Sequence, residues 1–558
     1  MTEESAGPAP PATNLWKRLL PKFTFGVALA VTLGAAWIHL TFLRHAGGLW
    51  RDEVNSLGVA NLPTLGDVWS HLQFDSFPIL WLLVVRFLTA LGLAGDQALR
   101  IDGFLVGLGI IGAVWLAARS FRHPAPVLGL ALFALCPAVV CWGDSIRAYG
   151  SGVLLILVTT ALLWRLVDVP SKRRTVLAAI FAVASVQCHY YNSMLLFGLG
   201  LGAAAVGLRR RSGRSVVLVL GVCAFAAATM LPYLAVFRNV GDWNMLVKAD
   251  PFTFGVFWAK LKETLAPAGT WVIWAWGAFL ALALAAGGLG LLAPKLLRLG
   301  DKQRDVSLFA LVALLVGSAA YYGFLCVLGY PTQPWYYLAL LAFTAVCGEA
   351  ILAATFLSFP WLGSAGLMLA AVAAGFSLPR ALPAADQRLT NVDLVVTALR
   401  PLAVKGDLVI VNPWYCGITF EHYNNLPADW VTLPPISFHQ FHRYDLLKPQ
   451  MMAADQTAPM QPVLQQIQSA LQAGHRVYLV GGLEFLPPNQ GLPVLPPAPG
   501  SQFGWSDFPY IRVWSMQAAR FIQYHALQAQ QIPVPAGEAH TVNGWENLPV
   551  LVVQGWHG

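Results

Sequence analysis

Asp52 and Glu53 stand side by side just after the first long apolar run of the chain, residues 23–42. Two acids so placed can take a proton from an attacking hydroxyl, orient that nucleophile or help hold a divalent cation. Lys17, Arg18 and Lys22 precede the run. Basic residues tend to remain cytoplasmic, which puts the N-terminus inside and the acid pair outside. A lone Asp at such a place also serves as a helix cap, so the reading depends on the polar residues that share its side.

Those residues agree in type. At the outer ends of the apolar runs lie Asp75, Arg86, Arg100, Asp144, Arg147, Tyr149, His189, Tyr190 and Tyr191, with the turn Tyr330-Pro-Thr-Gln-Pro-Trp335-Tyr336-Tyr337. A guanidinium keeps its charge when partly desolvated and grips phosphate through two parallel hydrogen bonds, so Arg86, Arg100 and Arg147 are candidate phosphate ligands. Each has a structural alternative: Arg147 can pair with Asp144, and Arg100 can anchor a helix end among headgroups. Tyr149, His189, Tyr190, Trp335 and Tyr336 are expected as substrate contacts within an interfacial aromatic belt. Glu349, about 20 Å along its helix from the outer end, is too deep for that site and is expected to make a polar contact between helices. The outer loop 238–266 is long enough for a mobile lid.

The elements that must position these residues follow from composition. The 558 residues are 57% hydrophobic and 11% charged, which describes a polytopic α-helical membrane protein. The net charge of +8 sits in short clusters between apolar runs, an orientation signal rather than a nucleic-acid footprint. The cysteines form no CxxC pair, so neither zinc nor a disulfide framework is indicated. The run 77–94 carries Arg86 at its centre, and a charge at the bilayer midplane costs about 3 kcal/mol or more. It is therefore read as a helix lying at the outer surface.

All basic clusters then face the cytoplasm across eleven spans, at 23–43, 102–118, 125–142, 150–167, 175–189, 193–208, 215–236, 269–293, 306–328, 336–357 and 359–378. An odd count carries the tail outward. The chain divides into a membrane domain, 1–378, whose first outer loop is 44–100, and an external domain, 379–558. In the tail, 407–412 and 475–482 read as strands and 462–473 as an amphipathic helix ended by Gly474, an α/β pattern. Gly198, Gly200 and Gly202 sit inside a span and read as helix-packing glycines.

The ordered series Asp52-Glu53, Asp75-Ser-Phe-Pro with Arg86, Ala98-Leu-Arg100 and Asp144-Ser-Ile-Arg147-Ala-Tyr149 resembles the membrane glycosyltransferases of the GT-C superfamily, in the protein O-mannosyltransferase and lipid A aminoarabinose-transferase branch. The resemblance covers mainly residues 20–200. It implies inverting transfer of a sugar from a polyprenyl-phosphate donor to an acceptor hydroxyl on a glycan, lipid or protein, at the outer face of a bacterial inner membrane. Asp52 would be the base, Glu53 would orient the acceptor, and arginines would stabilise the leaving phosphate. It also implies a divalent metal, Mg or Mn, for which Asp52 and Asp144 are candidate ligands. Where relatives commonly read His-Pro-Pro, this chain has Ser76-Phe77-Pro78. The alternatives are a lipid-linked-sugar transporter, for which half-helix interruptions and pseudo-symmetry are not evident in the sequence, and a non-catalytic glycan-binding scaffold.

Overall fold

The computed structural model describes residues 13–244, 252–329, 332–356, 359–487, 489–537 and 541–558. Tyr330, Pro331 and part of the expected lid, 245–251, lie outside the described residues. Among the described residues eight helices are long and apolar enough to cross a membrane: Leu19–His45, Asp96–Ser120, Ala148–Asp168, Asn192–Arg209, Trp271–Leu292, Asp301–Leu328, Pro334–Thr355 and Leu362–Ala385. A ninth is gained if Gly213–Ala228 and Tyr233–Val240, bent by 47°, form one span. Ser171 and Ser212 cap the helices that begin at Lys172 and Gly213 by accepting main-chain N–H bonds.

Eleven spans were expected, and two of them depart from that pattern. Residues 125–142 hold a three-residue turn of helix, Val127–Gly129, a wide π-type turn, Leu130–Ala134, and a fresh helix, Pro137–Gly143. Pro137 has no N–H to continue a ladder, so the helix restarts there. Residues 125–141 are buried by their neighbours, a setting in which irregular backbone is tolerated at membrane depth. Hydropathy sees such a stretch as continuous. The other, Lys172–Cys188, is a 17-residue helix that opens on three basic residues. Glu349 makes the polar contact expected of it: its Oε2 accepts the Gly129 N–H at 2.6 Å, at the start of the broken segment. Helices Asn192–Arg209 and Asp301–Leu328 press together at Gly198, where a Cβ would meet Gly317 N at 2.5 Å.

The run 77–94 forms Ile79–Ala90, 12 residues or about 18 Å, too short for a hydrocarbon core of about 30 Å. With Arg51–Ala60 and Leu65–Ser70 it makes the first loop helical. Thr64 and Asp67 close a capping box on the last of these.

The C-terminal region is an α/β layer structure of strands β1 (Leu408–Val411), β2 (Asp429–Thr432), β3 (Val477–Val480), β4 (Ala526–Ile532) and β5 (Val550–Trp556) in the order β2-β1-β3-β5-β4. The first three are parallel, with Leu408 opposite Asp429 on one side and Val477 on the other, and β5 joins antiparallel. Leu408 and Ile410 pack with Val463, Ile467 and Trp514 on one face, while Val409 and Val411 pack with Val396 and Phe420 on the other. Both faces are therefore covered, as an all-apolar strand requires. Helix Gln461–Gln472 and strands β1 and β3 fall where the sequence pattern expected them, and Gly474 takes φ +79° just past that helix.

This region seats directly on the first loop. Leu49 N–H donates to the Tyr423 hydroxyl at 2.6 Å, and a Cβ at Gly58 would lie 2.0 Å from the Gln440 carbonyl oxygen. Only glycine admits that approach.

Candidate active site

Asp52 and Glu53 occupy the first turn of helix Arg51–Ala60. Neighbours on a helix point about 100° apart, so the pair cannot face one way. Glu53 turns inward and is fully sealed, whereas Asp52 reaches the rim with 22% of its side chain exposed.

Glu53 is fully engaged. Its oxygens accept from Arg100 Nη1 at 2.6 Å and Nη2 at 2.8 Å, from Trp50 N–H at 3.0 Å and from Ile146 N–H at 2.7 Å. Arg100 adds bonds to the Gly47 and Gly48 carbonyls. Both expectations are thus corrected: Glu53 has no free lone pair for an acceptor, and the fork of Arg100 is used on protein rather than phosphate. Arg86 is corrected too. Its guanidinium bonds the Ala60, Leu62 and Pro63 carbonyls and so closes the end of the Asp52 helix.

Arg147 stands at the centre. Its Nη1 donates to the Asp52 carbonyl oxygen at 2.8 Å and to Ser56 Oγ at 2.7 Å, and it lies 2.9 Å from Asp75 Oδ1. The guanidinium rests on the Phe77 ring at 4.5 Å, and its buried Nε has no partner. Pairing with Asp144 is not found: Asp144 is taken by His39 Nδ1 at 2.7 Å. Asp52 and Asp144 do not combine into a metal site either, since among the described residues no three His, Cys, Asp or Glu side chains gather to hold an ion.

Aromatic residues wall the site. Tyr149 packs against Phe77 at 4.9 Å and Tyr336 at 5.9 Å, and Trp335 against Trp142 at 4.4 Å and Trp50 at 5.8 Å. His189 is buried 5.9 Å from Tyr149, and neither ring nitrogen has a partner. A cavity of about 100 Å³ opens here, lined by the polar Gln73, Asp75, Ser76 and His189 and the apolar Phe237, Phe324 and Leu328. Tyr190 and Tyr336 also line it. The structure therefore brings Arg147, Tyr149, His189, Tyr190 and Tyr336 together, joined to Asp52 through the Arg147–Asp75 pair.

The sequence reading missed two residues, both from the C-terminal region. His442 Nε2 lies 3.6 Å from Asp52 Oδ1. Glu546 Oε2 accepts the Arg51 N–H at 3.0 Å. Neither belongs to a motif, and nothing short of the fold connects them to Asp52. Burial pushes the Asp52 carboxyl up, yet the neighbouring His442, Arg147 and Arg51 outweigh it and hold the group at about 2. Asp52 is ionised at any physiological pH.

No protein-family model matches the chain, and no curated protein sequence matches it. Similar solved structures include the oligosaccharyltransferase AglB of Archaeoglobus fulgidus in complex with an inhibitory peptide and a dolichol-phosphate, at 12% identity over 81% of this chain and 69% of that one, TM-score 0.47. The Archaeoglobus fulgidus oligosaccharyltransferase in complex with Zn and sulfate is similar at 12% identity over 89% and 71%, TM-score 0.49. ArnT of Cupriavidus metallidurans bound to undecaprenyl phosphate is similar at 10% identity over 95% and 97%, TM-score 0.48.

Proposed function

We propose that this protein is an inverting glycosyltransferase that moves a hexosyl or pentosyl group from a polyprenyl-phosphate donor to an acceptor hydroxyl at the outer face of a bacterial inner membrane. In this reading the N-terminus is cytoplasmic, and residues 379–558 form an external domain above the membrane domain 1–378. The observation that carries it is an ionised, partly exposed Asp52 joined through Arg147 and Asp75 to a cavity with both polar and apolar lining residues. The apolar residues suit the first isoprene units of a lipid carrier, and the polar ones suit its phosphate.

The acceptor oxygen attacks the anomeric carbon, the bond from that carbon to the phosphate oxygen breaks, and the carrier phosphate departs. One displacement from the opposite face inverts the centre. A carboxylate of such low pKa is a weak base towards a free alcohol. As the new C–O bond forms, however, the attacking oxygen approaches an oxonium, a far stronger acid than any carboxylic acid, and Asp52 can take the proton then. Arg147, with its Nε unsatisfied, meets the charge that develops on the leaving phosphate.

The test is release of undecaprenyl phosphate from undecaprenyl-phosphate-linked sugars by purified protein in membrane vesicles. Sugar-dependent release supports the reading. Passage of intact labelled donor across the vesicle membrane without release refutes it in favour of transport.

A further inference from the structure

The first N–H groups of the Asp52 helix have no partner within the helix ladder. Glu53 reaches back to the Trp50 N–H, and the Arg51 N–H goes to Glu546, a residue of the C-terminal region. Glu546 is fully buried, and its other oxygen accepts from Thr419 Oγ1 at 2.6 Å. Arg51 follows the same direction: its Nη1 donates to the Trp545 carbonyl at 3.0 Å and its guanidinium lies 4.6 Å over the Tyr415 ring. Four residues into the helix, Asn55 Oδ1 accepts the His442 N–H at 2.7 Å, which sets the His442 ring beside Asp52. Burying a carboxylate is expensive unless it is well bonded, so a sealed Glu546 marks a place where position matters.

We propose that Glu546 is a positioning residue for Asp52: the C-terminal region caps the Asp52 helix through Glu546 and braces the carboxylate through His442, so that the base is correctly aimed only while that region is seated. The inference rests on the reading of Asp52 as the base. Asp52 itself is fixed along the helix, and its aim at an acceptor oxygen depends on the tilt of the first turn. A misplacement of about 1 Å in such a group costs about 10²-fold in rate. Burial pushes the Glu546 carboxyl up, against the opposing pull of Arg51, to about 7. The charged or titratable groups that face it are Arg51 and Asp52 on the helix and Tyr415 and Cys416 on the C-terminal side.

The experiment uses the full chain in membrane vesicles from the cells that make it, which supply the acceptor, with undecaprenyl-phosphate-linked glucose, mannose, galactose and arabinose as donors. Glu546→Ala is expected to lower kcat by tenfold or more per folded enzyme while leaving KM for the donor unchanged. Glu546→Gln, whose amide oxygen still accepts the Arg51 N–H, is expected to keep at least half of wild-type kcat. A purely structural role would reduce the amount of folded protein but not kcat per folded enzyme. Glu546→Ala with kcat within twofold of wild type, or Glu546→Gln as poor as Glu546→Ala, overturns the proposal. Should Glu546→Ala not fold, the decision passes to His442→Asn, expected to lower kcat at unchanged donor KM; wild-type kcat there overturns it. Asp52→Asn, run in parallel, separates the layers. If that variant is active, or if wild type releases undecaprenyl phosphate from none of the donors, the base assignment falls and the clamp falls with it. If Asp52→Asn is inactive and Glu546→Ala is normal, only the clamp falls.

Discussion

Arg100 meets Glu53 with two parallel hydrogen bonds, 2.6 and 2.8 Å long, in a pocket closed to solvent on every side. The acid beside Asp52 in the sequence is a bolt that fixes the amino end of their shared helix. Removing one partner strands a buried charge, at a cost of about 3 to 5 kcal/mol. Glu53→Gln and Arg100→Met should each lower the thermal midpoint markedly, whereas the double variant should recover part of the loss. Unchanged midpoints in the single variants would show that the pair is not closed in this way.

Asp52→Asn should lower stability at neutral pH by about 2 kcal/mol, the contribution of the ionised carboxylate, and reduce sugar transfer per folded enzyme by about 10²-fold or more, because an amide keeps the shape but accepts no proton. Initial rates of donor turnover, normalised to folded protein, measure this directly. Turnover near wild type would remove Asp52 as the base.

Arg147 and Asp144 should separate cleanly. Arg147→Lys replaces a fork with a point charge and should lose most donor turnover at nearly constant stability. Asp144→Asn disturbs a buried pair with His39 and should lower the thermal midpoint while kcat per folded enzyme holds. Equal, mild losses in both would place Arg147 outside the phosphate site.

The depressed Asp52 pKa carries a stability signature. The folded-state value falls from 3.8 to about 2, so its contribution is present above about pH 4 and is lost as pH falls through 2. A shift of nearly two units is worth about 2 kcal/mol. Acid unfolding of Asp52→Asn should therefore be shallower than that of wild type between pH 4 and 2. Parallel curves would mean that His442, Arg147 and Arg51 do not hold the carboxylate in solution.

Much of the scaffold was readable from the residues because it rests on local rules. Apolar runs, the short helix with Arg86 and the strand-helix-strand order of the tail depend on length, period and caps. The break inside 127–143 was not readable, since hydropathy does not register that Pro137 restarts a helix within a buried segment. Roles divided more sharply. His189, Tyr190 and Tyr336 line one cavity that Arg147 reaches through Asp75, but residue type alone could not show that Arg86 and Arg100 use their donors on main-chain carbonyls. His442 and Glu546 were beyond reach: single polar residues in a tail reveal nothing until the sheet sets them against Asp52.

The close approach of Gln440 to Gly58 has a consequence for how the chain is made. Among the described residues every candidate span precedes residue 386, and His442 and Glu546, which contact the Asp52 helix, come later. A ribosome has therefore finished all the membrane helices, Glu53 and Arg100 already among them, before it reaches the residues that brace Asp52. Until Glu546 and His442 follow, the Asp52 helix lacks two of the bonds that hold it in the finished fold.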